Sequence, residues 1–184
     1  PYGNYYSSTT NKDYVPTSDC GPAPLGTITV NNTAEEDISW GSYVVTTTLQ
    51  SGIYNSNNTI DIAPGSGPYS ESIETVRSNV VLNCNGVTLT DHGSSTGLYI
   101  NGEDNIVVNN CTFNEFYRGI YLTGSDNSII ENSTFTNNDE SAIYFYYASN
   151  YNTIKNNNFT SNDAYAIRLD GGSSANRVMY NNIT

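Results

Sequence analysis

Positive charge is scarce in this sequence. Six lysines and arginines face eighteen aspartates and glutamates, a formal net charge of −12 over 184 residues. Binding a phosphate backbone requires clustered cationic side chains that displace its counterions. Nucleic acid is therefore excluded as a partner, and a basic partner, a cation or a neutral glycan fits better. No apolar run approaches the roughly 20 residues needed to span a bilayer, and no membrane insertion is expected. Histidine occurs once, at His92, and the three cysteines, Cys20, Cys84 and Cys111, include no close pair. Such a set composes no metal-ligand motif, and no cofactor is implied. The sequence starts at Pro1 without a methionine or a signal-peptide apolar core, as a processed or trimmed chain would.

Asparagine, serine, threonine and tyrosine fill the space that charge leaves. Charged residues make up 13% and hydrophobic ones 36%. A chain this polar, weakly charged and poor in lysine reads as an exported protein with an extracellular or cell-surface location. Its length suits one domain, or a domain plus a tail. Within it, "RGIYLTGSDNSIIENSTFTNN" (118–138) is followed by the near-copy "SAIYFYYASNYNTIKNNNFTSND" (141–163). Alignment of the repeats puts Leu98/Ile100, Ile120/Leu122, Ile143/Phe145 and Ile167/Leu169 in one apolar pair column. Val108, Ile130, Ile154 and Val178 form a second column and Phe113, Phe135, Phe159 and Ile183 a third, with successive members 22 to 24 residues apart. A fixed period of this length is the signature of a stacked solenoid.

The alternation of apolar and polar residues in "GIYLT" and "AIYFY" has strand rather than helix periodicity. Each repeat is expected to hold two or three short strands, with parallel strands of successive coils about 4.8 Å apart. The asparagines then mark corners. Asn110, Asn132 and Asn156 lie just before the Phe column and Asn137, Asn138 and Asn162 just after it, at turns whose left-handed backbone is most accessible to Asn and Gly. Stacked asparagines can also hydrogen-bond to one another along the solenoid.

The stretch "NTIKNNNF" (152–159) resembles the repeat of the right-handed parallel β-helix family, the pectate-lyase-like superfamily. "IDIAPGSGPYSESI" (60–73), with Pro64-Gly65 turning the chain and Tyr69 leading onward, is similar to the family's first coil, and "NVVLNCNGVTL" (79–89) to its second. The fold the resemblance implies is all-β, a right-handed parallel β-helix of about five coils over residues 57–184. An extended Tyr-rich arm (1–26) and a leading strand or cap (27–56) precede it.

Superfamily members that cleave or epimerise acidic polysaccharides carry several carboxylates, often with calcium, and a basic residue on one outer face. The corresponding candidates here are Asp91, His92, Glu103, Asp104, Asp126, Arg118 and Arg168. Asp104 and Asp126 share a loop column, yet two carboxylates supply too few of the about six to eight oxygens that calcium takes. "TDHGSS" (90–95) and "IRLDG" (167–171) resemble elements of polygalacturonase-like hydrolases. However, the Asn-Thr-Asp and paired-aspartate elements are missing and the Arg-Ile order is reversed. No carboxylate pair at a glycosidase separation can be identified, no catalytic residue is assigned, and the chain is not expected to be an enzyme. His92, alone in a Gly/Ser-rich turn, has no visible carboxylate partner.

The outward positions between the inward pairs are more informative. Tyr99, Tyr121, Tyr144 and then Arg168 occur one per coil, a vertical ladder that the guanidinium would close by a cation–π contact. Its rings either shield the strands beneath, since aromatic residues favour strands, or offer a platform for sugar rings or a protein contact. Asn-x-Ser/Thr sequons at Asn31, Asn57, Asn110, Asn132, Asn158 and Asn182 are candidate glycosylation sites. Asn31 and Asn57 are expected to be the more exposed, and Asn110 and Asn132 to be crowded by stacking. Cys84 and Cys111 are about one coil apart, within disulfide reach as vertical neighbours, although the alignment offsets them by a position. Cys20 on the arm is left free or bonded to another chain.

The last repeat stops at "NNIT" without a covering element, and an open rung is a template for another strand. The expectation is an extracellular structural subunit of a cell-surface filament, appendage or surface layer. It would be a homopolymer formed head to tail through open β-helix ends, with the arm adding to a neighbour's sheet. A carbohydrate-binding module using the tyrosine ladder is the alternative, and a polysaccharide-active enzyme a more distant one.

Overall fold

The computed structural model describes residues 27–30, 38–40, 43–46, 48–55, 59–75 and 77–184, and over these the chain is an all-β parallel solenoid of about five coils. The arm (1–26), with Cys20, lies outside the described residues. Three sheets run along the solenoid, and each full coil gives one strand to each. A tyrosine-bearing sheet stacks Ile73–Glu74, Thr96–Asn101, Arg118–Thr123, Ser141–Tyr146 and Tyr165–Leu169. A phenylalanine-bearing sheet stacks Thr88–Thr90, Thr112–Asn114, Thr134–Thr136, Asn158–Thr160 and Asn182–Ile183. The long third sheet includes Thr27–Val30, Thr59–Ile62, Val81–Asn83, Val107–Asn109, Ile129–Glu131, Thr153–Lys155 and Arg177–Met179, all in parallel.

The apolar columns lie in register. Phe113 pairs with Phe135, Phe135 with Phe159 and Phe159 with Ile183. The three rings are fully buried and stack at 5.2 and 5.1 Å between centroids. Each such ring contributes about 2–3 kcal/mol of burial. Val108, Ile130, Ile154 and Val178 follow the same rule. The inward pairs do so as well, from Leu98/Ile100 to Ile167/Leu169.

Two kinds of asparagine build the corners. Asn110, Asn132 and Asn156 have φ of 53°, 53° and 55°, and Asn137 has 54°, so they turn the chain through the left-handed region where a short amide side chain is tolerated. Asn138 and Asn162 do something else. The Asn138 Oδ1 accepts the Phe116 N–H at 3.1 Å, the Asn162 Oδ1 accepts the Asn138 N–H at 3.2 Å, and their amides donate back to the Phe113 and Phe135 carbonyls. Asn157 and Asn181 repeat this at the next corner, and Asn152 and Asn176 at the third. Each side chain thus satisfies corner backbone of the preceding coil that would otherwise be buried without a partner.

Upstream of residue 57 the chain already belongs to the stack, because Thr27–Val30 pairs in parallel with Thr59–Ile62. An antiparallel hairpin, Ile38–Trp40 with Tyr43–Thr46, flanks that strand, and a short helix, Leu49–Asn55, follows. Leu49 and Ile53 are buried. The helix start is capped by Thr48, whose Oγ1 accepts the Ser51 N–H, and by the Glu71 carboxylate, which accepts the Leu49 and Gln50 N–H groups at 2.9 and 3.2 Å.

Candidate functional site

The tyrosine-bearing sheet carries the densest group of aromatic and charged side chains. Register places Glu74, Tyr99, Tyr121, Tyr144 and Arg168 in one outward column. Tyr99 and Tyr121 stack at 5.3 Å with an 11° interplanar angle, and Tyr121 and Tyr144 at 5.2 Å and 26°. The Arg168 guanidinium lies 4.5 Å from the Tyr144 ring centre, and Arg118 lies 5.0 Å or less from the centres of Tyr117, Tyr121 and Tyr144. Glu140 bridges the two arginines, at 2.6 Å to each, and Arg168 also reaches Asp170 at 3.1 Å. The ladder is less open than its sequence suggests: this cover leaves Tyr144 only 6% exposed.

This geometry suits the ladder better as a shield for the strands beneath than as a sugar platform. Rings stacked face to face present edges to solvent, while a sugar ring needs an open face. The electrostatics also speak against acid chemistry. Burial would push the Glu140 carboxyl up, but hydrogen bonds from Arg118, Ser141 and Arg168 outweigh it and hold the group below its usual range. The Gly171 N–H and Arg168 lower Asp170 in the same way. Neither is a proton donor near neutral pH. Burial raises the Tyr121 and Tyr144 phenols, so they stay neutral. Beside the upper end of the ladder, Gln50, Glu74, Thr96, Tyr99, Arg118 and Tyr121 line a shallow depression of about 530 Å³.

Of the other candidates, Asp104, Asp126 and Glu103 join coils and Asp91 holds its own loop. The Asp104 Oδ1 accepts the Asp126 N–H at 2.8 Å, and the Asp126 Oδ1 accepts the Asn150 N–H at 2.7 Å, so these loop carboxylates join one coil to the next. Asp91 accepts the Ser95 and Ser94 hydroxyls, and the Ser95 bond, with the His92 N–H, holds its carboxyl low. Glu103 accepts the Ser78 hydroxyl. His92 is exposed in the adjoining loop. Among the described residues no three His, Cys, Asp or Glu side chains converge as metal ligands would.

Cys84 and Cys111 are joined by a disulfide, with Cα atoms 4.7 Å apart. Four residues, Cys84 to Val87, join Asn83 to Thr88, where the next coil uses only Asn110 and Cys111. The wider corner absorbs the one-position offset. Of the sequons, Asn31 and Asn57 lie outside the described residues; Asn110, Asn132 and Asn182 are exposed and Asn158 is partly so. Asn132 donates to the Asn109 Oδ1, and Asn182 to the Asn158 Oδ1. The buried Asn152 and Asn157 and the half-buried Asn176 and Asn181 are the residues of the stack that the corner argument missed. Their signal is an Asn or Ser directly after a left-handed corner residue, as in Asn132-Ser133, Asn156-Asn157, Tyr151-Asn152 and Ala175-Asn176.

No curated protein and no solved structure matches the chain. A family model described as periplasmic copper-binding protein (NosD) matches residues 28–184, nearly the whole solenoid, and the chain belongs to the NosD family of parallel β-helix proteins.

Proposed function

We infer that the chain is a non-catalytic structural solenoid acting outside the cytoplasm, a rigid segment of a cell-envelope or cell-surface assembly that adds to copies of itself coil on coil. One observation carries this reading: the polar side chains are used for stacking. The Asn ladders, the Asp104–Asp126 column and the Arg118–Glu140–Arg168 cluster all bond one coil to its neighbours. The rung at 165–184 carries the same columns, with Leu169, Val178 and Ile183 44%, 48% and 60% exposed. A further coil of this type, from the polypeptide's continuation or from a second copy, would make the same bonds there. Addition of copies in this sense is heterologous and yields an open filament. The periplasmic location of the family's namesake and the Cys84–Cys111 disulfide both suit an oxidising compartment.

The described residues do not fit the namesake's copper. Copper sites draw on His, Met and Cys donors. The sequence has one His, one Met and three Cys, and Cys84 and Cys111 are consumed by the disulfide. His92 follows the first strand of the phenylalanine-bearing sheet, whereas Met179 ends the last strand of the long sheet, several coils away.

Sedimentation velocity of the longest native form of the protein, over a wide concentration range, tests self-assembly. Species that grow with concentration are expected, and a single monomeric boundary throughout would overturn it. Turnover of any polysaccharide would overturn the non-catalytic reading independently.

A further inference from the structure

One outward face of the solenoid carries polar side chains that the stacking does not use. The strands of the phenylalanine-bearing sheet read Thr-Leu-Thr (88–90), Thr-Phe-Asn (112–114), Thr-Phe-Thr (134–136), Asn-Phe-Thr (158–160) and Asn-Ile-Thr (182–184). In the first four the middle residue is fully buried, so its two neighbours point outward. Register aligns them in two columns, seven threonines and three asparagines. Thr88, Thr112, Thr134 and Thr136 are partly exposed, and among the described residues none supplies a partner for their hydroxyls. The other two sheets present charge instead: Glu74 and Arg168 on the tyrosine-bearing one, and Asp61, Glu131, Lys155 and Arg177 on the long one.

We propose that this face is an ice-binding surface, its ranks of threonine hydroxyls and methyls seating on a crystalline water lattice. The composition of the face narrows the occupant. Its outward positions hold no charge, ring or large apolar side chain, where an ionic partner needs charge, a sugar needs a ring face and a protein an apolar or aromatic centre. What fits is a neutral partner that repeats in two directions. Strands set the grid at about 4.8 Å along the stack and about 6.6 Å along each strand, within about a tenth of the oxygen repeats on a prism face of ice. The grid is also stiff. Threonine is restricted at χ1 by its branched Cβ, and the Phe113, Phe135 and Phe159 rings beneath stack at 5.2 and 5.1 Å. One hydroxyl gains little from ice over liquid water, but a row preorganised at lattice spacing binds as a unit. The surface is complete on one chain and does not rest on self-assembly.

Partition of the full chain into a slowly growing ice hemisphere, with thermal hysteresis of the same solution, measures binding. Enrichment in the ice and a gap between melting and freezing points are expected. The double variant Thr88→Lys and Thr136→Lys sets two charges on the face, one in each column, outside the sequons. Seating a charge against ice is costly, so enrichment should fall roughly tenfold or more. Thr153→Lys, partly exposed and outward on the long sheet, should bind ice as the wild type does. Circular dichroism and the thermal midpoint confirm that the variants are folded. Exclusion of the wild-type chain from the ice would overturn the assignment whatever the variants do. Undiminished enrichment of the folded double variant, or an equal loss in folded Thr153→Lys, would overturn it as well. So would retention on an insoluble neutral polysaccharide in place of ice, which would make the face a glycan platform.

Discussion

Residues 156 to 158 are three consecutive asparagines that the fold uses in three different ways. Asn156 is exposed at φ 55°. Asn157 is 2% exposed; its Oδ1 accepts the Ser133 N–H at 2.9 Å and its amide donates to the Ile130 carbonyl at 2.9 Å and the Asn181 Oδ1 at 3.1 Å. Asn158 lies partly exposed in a strand, accepting from Asn182 at 2.8 Å. Asn157→Ala leaves the buried Ser133 N–H without an acceptor, about 1–3 kcal/mol, and removes two further hydrogen bonds worth about 1 kcal/mol each, so the expected loss is about 3–5 kcal/mol. Asn156→Ala meets only the left-handed backbone penalty, about 1 kcal/mol, and Asn156→Gly stays within about 0.5 kcal/mol. Asn158→Ala loses less than about 1 kcal/mol. Urea unfolding followed by circular dichroism, compared at constant slope, reads all four. Equal costs at the three positions, or a larger loss for Asn156→Ala than for Asn157→Ala, would refute the ladder argument.

Three further outcomes follow from the same structure. Removing the disulfide with Cys84→Ser and Cys111→Ser opens a crosslink of sequence separation 27 and should lower stability by about 3–4 kcal/mol on the chain-entropy account; unfolding in the presence and absence of reductant checks it. Glu140 has a depressed pKa, so the stability it adds is present above its unfolded value of 4.5 and lost as pH falls below that through its folded value; Glu140→Gln should flatten the acid limb of a thermal-midpoint-against-pH profile, and an unchanged limb would contradict the bridge. A Cβ at Gly119 would lie 2.6 Å from the Ala142 carbonyl oxygen and 2.9 Å from the Phe135 ring, so Gly119→Ala should cost about 1–3 kcal/mol in the same urea assay.

The columns were legible because every coil repeats them. A Phe every 22 to 24 residues, with an apolar pair and a branched aliphatic residue at the same interval, admits one stacked register, and the strands adopt it. The left-handed corners were legible for a local reason, the backbone preference of asparagine. What escaped depends on partners distant in sequence. The helix at Leu49–Asn55 contains a glycine and is capped by Glu71, some 22 residues on, so no local pattern announces it. The coil at Thr27–Val30 is separated from its partner strand by that helix and the hairpin, which hides its period. Within the site, the one-per-coil spacing of Tyr99, Tyr121 and Tyr144 was readable, but their burial was not. The cover comes from Arg118, three residues before Tyr121 in sequence yet reaching two coils, and from the bridge that Glu140 makes between coils.

The most direct test of the central claim is electron microscopy and fibre diffraction of native material isolated from the cell envelope or surface. The account predicts rods longer than the coils of one full-length native chain span, with a repeat of about 4.8 Å along the rod axis from strands lying across it. Discrete particles no longer than one chain, or a repeat of that spacing perpendicular to the rod axis, would contradict assembly by coil stacking.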